Sequence, residues 1–73
     1  MGEVVPAIYT IYNHPYDYPD EFVCRVWHGM TPELVLFARG KTLEEVRKQI
    51  PPGAVNIGRM TRDDSKIAEC WIL

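Results

Sequence analysis

Four side chains in the first half of this 73-residue chain are of types that bind metals or move protons: His14, Asp17, Cys24 and His28. Imidazole, carboxylate and thiolate are ordinary zinc ligands, so a metal centre is the first chemistry to weigh. The spacing works against it. Residues 22–28 alternate as a strand does, and at 3.3 Å per residue Cys24 and His28 then share a face about 13 Å apart. That is too far for one ion, and neither a metal nor another cofactor is expected. Nucleophilic catalysis would pair Cys24 or Cys70 with His14 or His28. No signature spacing marks such a pair, and free cysteines are commonly inert core thiols. A domain this short also spares little volume for a pocket. The expectation is a protein with no catalytic residues, not an enzyme.

Binding is the remaining chemistry, and two groups of residues could supply it. The stretch Asn-His-Pro-Tyr-Asp-Tyr-Pro-Asp-Glu over 13–21 is an aromatic, acidic loop stiffened by prolines. Such loops present rigid contact area at small entropic cost. Tyr12, His14, Tyr16, Asp17 and Tyr18, with Trp27 and Trp71, are therefore candidate contacts for a protein partner. The bland alternative folds the tyrosines back over the sheet and leaves the acids solvated. The second group is basic: Arg39, Lys41, Arg47, Lys48, Arg59 and Arg62 crowd around one predicted helix and the turns near it. They could face phosphates, with Trp27 or Trp71 available for stacking. Glu44 and Glu45 dilute that patch, and a solvated helix face is the commoner meaning of such a run.

The elements that must position these residues are legible in outline. Residues 4–12 are rich in β-branched and aromatic side chains and read as a strand. Pro6 places its start at an edge or end. Tyr9 and Ile11 lie on one face; Ile8, Thr10 and Tyr12 lie on the other. Residues 22–28 form the next strand, with Phe22, Cys24, Val26 and His28 opposed to Val23, Arg25 and Trp27, and residues 29–32 turn the chain. Leu34 to Arg39 suits a buried strand or a helix that Thr31-Pro32-Glu33 would start. A strand is preferred, because the run lacks a 3.6-residue period and Gly40 stops it.

Thr42 and Glu45 have the spacing of a capping box. Leu43, Val46 and Ile50 form one helical stripe, Glu44 faces Lys48, and Pro51-Pro52-Gly53 ends the helix. Residues 54–60 and 66–72 read as two more strands, joined by Thr-Arg-Asp-Asp-Ser. In the last strand Ala68, Cys70 and Ile72 alternate against Ile67, Glu69 and Trp71. The order is β-β-β-α-β-β, an α+β fold in which a small antiparallel sheet carries one short helix on one face.

One short helix cannot cover both faces of such a sheet. Tyr9, Trp27, Phe37 and Trp71 cannot all lie beneath Leu43, Val46 and Ile50, so either the sheet curls on itself or its second face meets another chain, and a dimer is the preferred expectation. Size points the same way. At 8.4 kDa the chain is one domain, residues 1–73, and domains this small have marginal cores. Two cysteines make no disulfide framework, and no apolar run approaches a membrane span. Net charge is −2. It conceals a division: residues 1–38 set Arg25 against Glu3, Asp17, Asp20, Glu21 and Glu33, whereas residues 39–73 carry seven basic and five acidic side chains. The terminal Cys-Trp-Ile-Leu matches a prenylation pattern only formally, since Cys70 sits inside a predicted strand. A cytoplasmic protein with reduced thiols is expected, without membrane association.

Two blocks carry a resemblance: YNHPYDYPDEFVCRVW, and TLEEVRKQIPPGAVNIGRMTRDDSKIAECWI. Together they resemble a group of small uncharacterised proteins encoded by bacterial phages and prophages. The shared pattern falls at His14, Pro15, Asp17, Pro19, Phe22, Arg25 and Trp27, then Thr42 to Gly53, then Asp63, Asp64, Ile67, Glu69 and Trp71. The resemblance implies a phage-type source and brings no activity with it. A weaker likeness joins FVCRVW and LVLFARGKTLEEV to HicB-type antitoxins, from which Lys41, Val46 and the lack of an appended DNA-binding segment depart. The sequence therefore leads to a homodimeric protein-interaction module with an unknown protein partner. The alternative is a weak nucleic-acid binder or antitoxin-like regulator using the cluster from Arg39 to Arg62.

Overall fold

The computed structural model describes residues 6–58 and 66–73. The expected turn over 61–65 and the strand positions Val4, Val5, Arg59 and Met60 lie outside the described residues. Among the described residues six strands and one helix follow in chain order: β1 (Ala7–Asn13), β2 (Phe22–His28), β3 (Thr31–Pro32), β4 (Ala38–Gly40), α1 (Leu43–Arg47), β5 (Val55–Gly58) and β6 (Ile67–Ile72). They form one antiparallel sheet in the order β3-β2-β1-β6-β5, and β4 also pairs with β2. The α+β sheet with a single covering helix is the architecture the sequence implies.

The strand faces follow the alternation. Tyr9, Ile11, Cys24 and Val26 point to the helix side and pack with Ala38, Val46 and Ile50 into the core. Ile11, Val23, Cys24 and Val46 are the largest fully buried side chains. Burying Val46 completely contributes on the order of 1.5–3 kcal/mol and is what holds so short a helix on the sheet. Phe37 closes this side, its ring edge-on to Tyr9 at 5.0 Å.

Six expectations are corrected. Leu34 to Arg39 is a strand only at its end, where Ala38 and Arg39 enter β4; residues 34–37 are not. The pairs Trp27–Pro32 and Cys24–Ala38 leave three steps of β2 opposite six of the returning chain. The surplus loops outward between the bonds Glu33 N–H to Val26 O and Phe37 N–H to Cys24 O. Leu34 is 96% and Val35 77% exposed. The turn is also tighter than residues 29–32: Gly29, at φ 64°, and Met30 alone make it, so Thr31–Pro32 joins the sheet.

The helix is shorter than its stripe, because the backbone N–H groups of Gln49 and Ile50 bond three residues back, to Val46 and Arg47, as Pro51 approaches. Its box is half formed: Thr42 Oγ1 accepts from Glu45 N–H, but the Glu45 carboxylate accepts from Lys41 N–H at 2.9 Å. Glu44 pairs with Arg47 rather than Lys48. Finally, β6 does not alternate strictly. Ile11 faces Glu69 while Tyr12 faces Ile67, so Ala68 bulges to the helix side and Ile67 turns to the face of Cys70 and Ile72.

Candidate functional site

The aromatic loop is built by turns and held by its own charges. His14 adopts φ 50° and lies edge-on to Phe22 at 5.0 Å, and its N–H donates to Glu21 O. Asp17 accepts from Arg25 at 2.9 Å. Tyr18 lies under the Arg39 guanidinium at 5.5 Å, and Arg39 stands 3.9 Å from Glu21. Tyr16 is 92% exposed, with Lys66 Nζ 5.2 Å from its ring centre. Asp17, Tyr18 and His14 thus fasten the loop to β2, β4 and the core, and Tyr16 is left outermost.

Trp71 and Arg47 both turn inward, to the carboxylate of Glu69. Glu69 is buried, its carboxylate gripped by Arg47 Nε at 2.9 Å and Nη2 at 2.6 Å, with the Trp71 indole N–H donating at 2.6 Å. Asn56 adds a further hydrogen bond. The fork of Arg47, then Trp71 and Asn56, hold the Glu69 carboxyl below the usual carboxylate range despite its burial, which acts the other way. The Glu69 partner in turn holds the Arg47 guanidinium above its ordinary value, against a smaller opposing effect of desolvation. This cluster ties α1 to β5 and β6.

The thiols are set for packing. Burial pushes Cys24 up to about 12, with a smaller contribution from Cys70. Cys70 lies on the other face, its Sγ 3.9 Å from Thr10 Oγ1. Among the described residues no three His, Cys, Asp or Glu side chains gather as a metal would require. His28 instead pairs with Glu33 at 2.8 Å across the β2–β3 hairpin.

The face of the sheet away from α1 carries the most suggestive surface. Thr10 and Cys70, both small and buried, floor a groove of about 270 Å3. Ile8 and Trp27 wall one side, Tyr12 and Ile67 the other, and Ile57 stands at the β5 end, 45% exposed. No charged side chain lines it. Tyr12 and Trp27, singled out by type, belong here. Ile8, Ile57 and Ile67 were not singled out, and only the small residues Thr10 and Cys70 in alternating strands signal the hollow.

Of the basic cluster, Arg39 and Arg47 are engaged internally, Lys41 and Lys48 are exposed, and Arg59 and Arg62 lie outside the described residues. No described helix is long and apolar enough to cross a membrane. Comparison with family models, curated proteins and solved structures finds no match to this chain.

Proposed function

We propose that this chain is a non-catalytic accessory protein of the phage type, a protein-interaction module that acts as a homodimer through the sheet face opposite α1. The observation that carries this reading is the uncharged groove between Trp27 and Ile67 on a face that α1 does not reach. Apolar surface of this kind on so small a domain gains most by meeting another apolar surface. The phage-type resemblance supports the source and adds no activity. The nucleic-acid reading is weaker, because Arg47 is spent on Glu69 and Glu44, and Arg39 leans on Tyr18 and Glu21.

Light scattering tests the reading. The native chain is expected at twice its 8.4 kDa, and Ile67→Lys, which sets a charge in the groove wall, at the single-chain mass with its far-ultraviolet spectrum unchanged. A dimer indifferent to Ile67→Lys would move the interface elsewhere.

A further inference from the structure

We propose that the two copies pack face to face with a row of large side chains on each seated over a row of small ones on the other, a register that rests on the homodimer reading above. The rows come from the strand pairing. Across the open face, Trp27, Ile8, Ile72 and Val55 stand side by side on β2, β1, β6 and β5. The next row on the same face is Arg25, Thr10, Cys70 and Gly58. Thr10 and Cys70 are its small members, Ile57 closes the row beside Gly58 at the β5 irregularity, and the Arg25 guanidinium is turned to Asp17. The rows lie two residues apart along β2, β1 and β6, about 7 Å, and three apart along β5, where Ile57 is the extra residue.

A ridge lying one step from a matching trough is complementary to its own copy. A two-fold axis in the interface, parallel to the rows and midway between them, exchanges ridge and trough. Ile8 then sits over the partner's Thr10 and Ile72 over the partner's Cys70, while Val55 meets the partner's β5 end, where Ile57 bounds the groove. The strands of the two sheets run antiparallel, in the manner of a sandwich whose layers pack about 10 Å apart. The occupant is a second copy for two reasons on the surface itself. The ridge that fits the trough is present on this chain, and the groove lining is uncharged, so apposing identical faces sets no like charges together.

Disulfide trapping reads the register directly. Ile72→Cys places a thiol over the native Cys70 of the partner subunit, and oxidation is expected to give a covalent dimer with a peptide joining positions 72 and 70. Tyr12→Cys lies on the far side of the trough and is expected to remain a single chain on a non-reducing gel. If Ile72→Cys does not fold, Ile8→Cys/Thr10→Cys/Cys70→Ser tests the same register, the serine removing the native thiol that faces position 10 in the same chain. A native dimer in which these pairs fail to crosslink, or in which Tyr12→Cys crosslinks as fully, overturns the register and leaves the homodimer standing. A native chain that is monomeric overturns both.

Discussion

Glu69 on β6 is bonded by Arg47 of α1, Trp71 of β6 and Asn56 of β5, so one buried carboxylate joins three elements. Its carboxylate is 7% exposed as a side chain, yet it is fully partnered by Arg47, Trp71 and Asn56. Removing the charge while keeping the shape, as in Glu69→Gln, leaves Arg47 without its fork. Charge-assisted hydrogen bonds contribute about 1.5–3 kcal/mol, and the partial exposure of Arg47 trims that, so a loss of about 2 kcal/mol is expected by urea unfolding. The same group sets a pH dependence. Because its folded-state value lies below the ordinary 4.5, its stabilisation is complete above that pH and fades as pH falls through the folded value. The native chain should lose urea resistance below about pH 4.5 more steeply than Glu69→Gln does. At the other extreme Cys24, fully buried and raised to about 12, should resist iodoacetamide at mildly alkaline pH until the chain unfolds. Little of this was legible. Glu69 falls at an alternating position like any solvent-facing acid, and its partner Arg47 is 22 residues away in sequence.

At the scale of elements the sequence was more informative where local chemistry decides. Strand β2 begins and ends where its alternation does, and Thr42 caps α1 as its spacing implies. Thr42→Ala should cost about 1 kcal/mol. Gly40→Ala should cost about 1–3 kcal/mol, because the added carbon would lie 2.7 Å from Glu45 Cβ and 2.8 Å from the oxygen that caps Lys41 N–H. Either is measurable as a shift in the unfolding midpoint. The misreadings share a cause: burial was inferred from apolar type, and tertiary register overrode it. Leu34 and Val35 look like core, but between β3 and β4 the strand β2 offers three steps to a returning chain of six, which leaves these two outside the sheet. Replacing both with serine should change stability by no more than about 0.5 kcal/mol each, a direct check on the loop assignment. The bulge at Ala68 is the same lesson in reverse, since one extra residue carries Ile67 into the groove that alternation denied it.

On the scale of the whole molecule, the two faces of the sheet have unequal cover. One face holds the core, α1 and the Glu69 cluster; the other holds a groove floored by Thr10 and Cys70 and walled by apolar side chains. The imbalance was visible from the count of strands against one helix, although the shape of the hollow needed the register. A small domain with marginal burial gains proportionately more from covering such a face than a large one would. Sedimentation equilibrium of the unmodified chain, from micromolar to submillimolar concentration, tests this account most directly. A mass of twice 8.4 kDa that falls only on dilution is the predicted result; 8.4 kDa at every concentration would contradict it.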